Sequence, residues 1–146
     1  MGDELDTGNP ARVLARLARQ VEHALICEDL SIQQYRLLAY LSHGDWAASR
    51  LADTLDVSKP SITALVDGLV KRGYVERRAF EGDRRRIDHV ITKEGKAALK
   101  AGDRAVNARL EALAEHLPGD ALGDALRALA AVESVLDANL REALAR

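Results

Sequence analysis

Apolar residues along this chain recur at three- and four-residue steps, the period of a helix with one buried face, and leave that period once. From Pro10 the set Val13, Leu14, Leu17, Val21 and Leu25 predicts a helix reaching about Cys27. Asn9 can cap it and Pro10 suits its first turn. Asp29, Leu30 and Ser31 interrupt the pattern. Ser31 then caps a helix carrying Ile32, Tyr35, Leu38, Ala39 and Leu41, closing at Ser42, His43 and Gly44 with the glycine as a left-handed C-cap. Leu51, Leu55 and Val57 make the next apolar set, and Ile62, Leu65, Val66 and Leu69 the one after. Between these two sets Ser58 can cap the second helix and Pro60 lies in its first turn, where a missing N–H costs little. Two short helices on a tight turn are a helix-turn-helix. After Gly73 the period becomes extended: residues 74–80 read as a strand, 81–85 as a turn and 87–92 as a second strand. The result is a β-hairpin with an arginine-rich tip. Trp46 is expected to pack against the helical unit and to pair briefly with that hairpin.

From Lys93 a long helix carries Leu99, Val106, Leu110, Leu113 and Leu117. Leu117-Pro118-Gly119-Asp120 is a turn, and the last helix carries Leu122, Leu126, Leu129, Val132, Leu136, Leu140 and Leu144. The predicted fold class is mainly α with a small β-hairpin wing: a winged helix-turn-helix (31–95) between an N-terminal dimerisation helix (1–30) and the C-terminal helices of the dimerisation region (96–146). Residues 1–9 read as a frayed tail. A stripe sustained to Leu144 needs a longer partner than so small a chain easily supplies, so the first helix and the last two are expected to form a homodimer interface. An intrachain bundle is the alternative, because periodicity does not say which chain supplies the partner.

The net charge of −2 is unequally distributed. Residues 71–100 hold ten Lys/Arg against five Asp/Glu, while 1–46 hold four against seven, 47–70 two against three, and 101–146 five against eight. Positive charge thus gathers at the end of the second helix and on the hairpin, as a phosphate-binding footprint requires. The alternative is a solvated charged face. No apolar run approaches the roughly 20 residues that span a bilayer, so no membrane partner is expected. The acidic start lacks the order of a secretory signal, and a single cysteine excludes an intramolecular disulfide. These point to a cytoplasmic protein. There is no phosphate-cradling glycine loop, no His-Glu-x-x-His and no nucleophile with a base and an orienting partner, so neither an enzyme nor a cofactor is expected. A winged helix that contacts only protein is a further alternative, but such a wing has no need of this charge density.

With Ile62 and Leu69 inward, helical geometry puts Pro60, Thr63, Ala64, Asp67 and Lys71 outward. The first turn would enter a major groove, making Ser58, Lys59, Pro60, Ser61, Thr63 and Ala64 the DNA-binding candidates. Lys59 can reach guanine O6 or N7; Thr63 can offer thymine a methyl contact or a hydrogen bond. Lys71 and Arg72 either touch phosphates or serve as favourable charge at a helix C-terminus. Arg77 and Arg78 alternate across a strand, so at most one faces DNA.

The run from Leu55 to Arg77, then Asp83-Arg84-Arg85-Arg86 followed by Val90-Ile91-Thr92-Lys93-Glu94-Gly95, resembles the recognition region and wing signature of the multiple antibiotic resistance regulator (MarR) family. Ser31-Ile32-Gln33-Gln34-Tyr35-Arg36-Leu37-Leu38 is similar to that family's second helix, and the order of elements also fits. The resemblance implies a homodimeric transcriptional regulator, usually a repressor on an inverted-repeat operator, often released by a phenolic or lipophilic ligand. It further implies that Arg85 enters a minor groove, that Asp83 holds Arg85 by a charge-assisted pair, and that Arg84 and Arg86 straddle the backbone. Ala64 departs from the long basic residue of many relatives. A ligand would lodge near Tyr35, His43 or Trp46. Some relatives sense peroxides through a first-helix cysteine, but Cys27 lies later than in those sensors and beside the acidic Glu28 and Asp29, and a small buried apolar role is the better expectation. His23 and Cys27 stand at metal-ligand spacing and, with His43 and His116, give a metal-responsive alternative that no His-x-x-x-His pair supports.

Overall fold

Every expected helix forms, and the side chains expected to start them do so. In the computed structural model, which describes residues 9–144, the order is α1 (Pro10–Ile26), α2 (Ile32–Leu41), β1 (Trp46–Ala47), α3 (Ala48–Leu55), α4 (Lys59–Lys71), β2 (Val75–Phe80), β3 (Asp83–Ile91), α5 (Lys93–Ala114) and α6 (Ala121–Leu144). The tail over 1–8 and the side chains of Arg84, Leu140 and Leu144 lie outside the described residues. Asn9 Oδ1 accepts from the Ala11 N–H at 3.0 Å. Ser31 Oγ accepts from the Gln34 N–H at 3.1 Å while Gln34 Oε1 accepts from the Ser31 N–H at 3.0 Å, a reciprocal capping box. Thr92 Oγ1 accepts from the Gly95 N–H at 3.0 Å and donates to the Gly73 carbonyl at 2.6 Å, tying the start of α5 to the end of the helix-turn-helix.

The sheet is antiparallel with strand order β1-β3-β2, and Trp46 pairs with His89 as Arg77 does from the other side. Three expectations need correction. The hairpin turn is Glu81–Gly82 alone, with Gly82 at φ +111°, and the second strand begins at Asp83, not Ile87. The strand reaches the tip through a register slip: Ala79 faces Ile87 but Phe80 faces Asp83. Helix α2 ends in a right-handed C-cap at Ser42, not on a left-handed glycine; Ser42 Oγ donates to the Ala39 carbonyl at 2.6 Å, and Gly44 lies beyond at φ +155°. Cys27 is exposed. It is the C-cap residue of α1, two positions past fully buried Leu25 and therefore turned away from the core.

The core joins Leu25 and Leu30 to Leu37, Leu38 and Leu41 of α2, Leu51 and Leu55 of α3, Ile62, Val66 and Leu69 of α4, and Val75 and Ile91 at the base of the wing. Helix α5 lies along α1, where Arg109 donates twice to Gln20 Oε1 at 2.8 and 2.6 Å. Part of the apolar pattern on α1 and α6 stays uncovered. Val13, Leu14 and Leu17 of α1 and Leu126, Leu129, Val132, Val135 and Leu136 of α6 are all exposed, Leu14 at 64% and Leu136 at 61%. One chain does not bury these faces. No helix among the described residues is long and apolar enough to cross a membrane.

Candidate nucleic-acid interface

The second helix of the helix-turn-helix presents its first turn and one long face to solvent. Ser58, Lys59, Pro60, Ser61, Thr63, Ala64, Asp67 and Lys71 are all exposed, opposite the buried row Ile62, Val66 and Leu69. The two serines are largely used by the cap: Ser58 Oγ accepts from the Ser61 N–H at 3.3 Å and lies 2.8 Å from Ser61 Oγ. Thr63 Oγ1 donates to the Lys59 carbonyl at 3.0 Å, which leaves its methyl and its oxygen lone pairs for a ligand. Lys59 carries the free charge of this turn.

Beside that face runs a groove of about 680 Å³ between α3–α4 and the sheet, lined by Arg50, Thr63, Arg77, Arg85, Arg86, Ile87 and His89 among others. Register explains the grouping. Trp46, His89 and Arg77 stand side by side across the three strands, so they share one face of the sheet. Ile87 falls on that same face by the two-residue period of β3, and Arg85, in the register slip, lines the same groove. Arg77 thus belongs to the groove and pairs with Asp67 on the outer face of α4, whereas Arg78 pairs with Glu76 on the opposite face of the sheet. Asp67 and Arg77 are both substantially exposed, so their pair orients the arginine more than it stabilises the fold. His89 Nδ1 lies 3.0 Å from the Trp46 carbonyl, which can only accept, so this nitrogen carries the proton.

At the wing the carboxylates act differently from expectation. Asp83 Oδ1 accepts from the main-chain N–H of Arg85 at 2.9 Å, not from its guanidinium, so it shapes the backbone and leaves the Arg85 side chain exposed. Arg86 does not reach freely outward. Its Nε donates to nearly buried Asp88 at 2.8 Å, and its guanidinium lies 4.3 Å from the centre of the Phe80 ring. It braces the wing as much as it lends charge. Arg50 was missed from the sequence; a basic residue one position before buried Leu51, turned outward on the first helix of the pair, was the available signal.

A second concavity, about 870 Å³, lies between α2 and α6. It brings together the three residues expected near a ligand, Tyr35, His43 and Trp46, with Tyr40, Arg36 and the apolar face of α6 from Leu126 to Leu136. At its edge the Tyr35 hydroxyl donates to Asp103 of α5 at 2.6 Å. Burial, then this carboxylate, push the Tyr35 phenol well above its ordinary value. The unfolded chain therefore ionises first, and stability falls as pH rises past about 10. Tyr35→Phe is expected to cost about 1 kcal/mol near neutral pH and to flatten that alkaline decline, read from urea unfolding at a series of pH values. The histidines and Cys27 do not converge: among the described residues no group of three His, Cys, Asp or Glu could hold a metal ion.

Comparison with known proteins adds names to this geometry. Residues 28–86 match the model of the MarR family. The chain is 35% identical over 83 residues to the HTH-type transcriptional repressor YetL of Bacillus subtilis (strain 168), covering 55% of this chain and 50% of that one. It thus spans about half the length of that relative. It is 29% identical over 135 residues to the HTH-type transcriptional regulator FarR of Neisseria gonorrhoeae, covering 88% and 92%. Among solved structures, the transcriptional repressor CouR bound to a 23-mer DNA duplex superposes with a TM-score of 0.69 at 26% identity, over 85% of this chain and 88% of that one.

Proposed function

We propose that this chain is a winged-helix regulator of the MarR family, whose model matches residues 28–86, and that it represses transcription as a homodimer on an inverted-repeat operator. The observation that carries the reading is the single groove in which Thr63 of α4 meets Arg77 and Arg85 of the wing. Lys59 and Thr63 read base edges in the major groove, with Ala64 giving close apolar approach. Arg85, whose backbone Asp83 shapes, enters the flanking minor groove, where a narrow A·T-rich stretch concentrates negative potential. Arg77, Arg86 and Lys71 supply charge toward phosphates. The uncovered faces of α1 and α6 pair with a second copy, setting two recognition helices about one DNA turn apart. Such a protein works in the cytoplasm, beside the chromosome.

Release by a ligand is the regulatory half of the proposal. The cleft between α2 and α6 has apolar and aromatic walls suited to a phenolic or lipophilic molecule. Filling it would move α6 against α2 and so change the spacing of the paired recognition helices. A bound pair of half-sites tolerates such a change poorly. The DNA reading is tested by selecting duplexes from a random-sequence library and titrating the recovered one with wild type and Arg85→Ala. A palindromic consensus, about a tenfold loss in the variant and a salt slope lower by about one are expected. Weak binding equal for every duplex and indifferent to the substitution would overturn it.

A further inference from the structure

Arg72 closes α4 as its C-cap, yet its guanidinium turns back into the protein while neighbouring Lys71 faces solvent. Nη1 donates to the main-chain carbonyl of Asp29 at 2.5 Å, and Nη2 lies 3.3 Å from the Asp29 carboxylate. Nη2 also donates to the Tyr74 hydroxyl at 3.3 Å, and the guanidinium carbon stands 4.6 Å from the centre of the Tyr74 ring. Only 27% of the Arg72 side chain is exposed. Asp29 holds a left-handed conformation, φ +54°, in the turn between α1 and α2, so its carbonyl is presented by a defined bend. Tyr74 donates its N–H to the Leu69 carbonyl at 2.9 Å and accepts from the Thr92 N–H at 3.0 Å. One side chain therefore joins the end of α4, the α1–α2 turn and the base of the wing.

We infer that Arg72 is a positioning residue for DNA reading: it sets the tilt of the recognition helix against the α1–α2 turn and makes no phosphate contact itself. The inference rests on the DNA-reading proposal above. The buried row Ile62, Val66 and Leu69 decides which face of α4 is inside, but apolar packing is non-directional and permits small rotations. A planar fork held on a main-chain carbonyl is directional. Helix α4, with 13 residues, is about 20 Å long, so a tilt of about 5° at its C-terminus moves its first turn by about 2 Å. That displacement exceeds the tolerance of a base-edge hydrogen bond. Through α1, the same joint ties the helix to the surface that meets the second copy.

The test compares wild type, Arg72→Lys and Arg72→Ala on the duplex recovered by wild type from a random library and on a scrambled duplex of equal length. Both are titrated between about 50 and about 200 mM salt. A positioning role predicts that both variants lose about five- to tenfold for the recovered duplex, keep their affinity for the scrambled one and leave the salt slope unchanged, since lysine keeps the charge but not the fork. Asp29→Asn should lose less, because the carbonyl that takes the 2.5 Å bond remains. Wild-type affinity in Arg72→Lys, with a slope lower by about one in Arg72→Ala, would make Arg72 a phosphate contact and overturn the inference. Equal losses on both duplexes would overturn it too, as a general loss of the fold does not discriminate sequence. If wild type recovers no preferred duplex, the DNA reading fails first and this inference with it.

Discussion

Gly95→Ala is expected to destabilise the protein by about 3 kcal/mol and to lower its Tm by roughly 10 °C. On helix propensity alone alanine would be favoured by about 1 kcal/mol inside α5. Space decides otherwise. A Cβ at position 95 would lie 2.1 Å from the Tyr74 carbonyl oxygen, 2.9 Å from Ile91 Cγ1 and 3.0 Å from the Tyr74 carbonyl carbon. Two of those atoms are main chain, so no rotamer change relieves the contact. The Tyr74 carbonyl also accepts the Thr92 N–H at 3.0 Å, so moving it strains the bond that holds the wing to the start of α5. Thermal melting of wild type and variant at matched protein concentration checks this. A change within about 0.5 kcal/mol, as at an ordinary surface site, would mean that the helix–wing junction yields far more than its packing indicates.

The second large effect concerns assembly. Leu14→Asp combined with Val135→Asp is expected to leave the fold of each chain intact, since these residues are 64% and 60% exposed in it. It should nonetheless convert the protein to a monomer in sedimentation and reduce operator affinity by about a hundredfold or more. Both positions belong to the uncovered stripes of α1 and α6, and aspartate in an apolar interface would be buried without a partner. The affinity loss follows from valency: with two half-sites on one duplex, the second recognition helix binds at a high effective concentration, which a monomer forfeits. Neither position lines the cleft between α2 and α6, so the result does not depend on ligand binding. A double variant that still sediments as a dimer would place the homodimer interface elsewhere.

Much of this was legible along the chain because it depends on residues a few positions apart. The Asn9, Ser31 and Ser58 caps and the alternation that sends Arg77 to one face and Arg78 to the other are all short-range relations. The errors also have local causes. The polar run from Asp83 to Arg85 carries no apolar alternation, so it read as a turn although the second strand begins at Asp83, which faces Phe80 across a register slip. Cys27 read as buried because its residue type favours interiors, while its place at the end of α1 turns it outward.

The sequence by itself determined the succession of elements, the helix-turn-helix with its outward first turn, the basic hairpin and the apolar stripes of the first and last helices. Periodicity and capping suffice for these, since each is set by neighbours within about one helical turn. Only the tertiary structure decided which polar groups meet. Arg72 on the Asp29 carbonyl and His89 on the Trp46 carbonyl each join residues 43 positions apart, and Tyr35 on Asp103 spans 68. So too for Arg86, which folds back on Asp88 and Phe80, and for Arg85, which stays exposed: long side chains can reach many partners, and the packed elements around them select one.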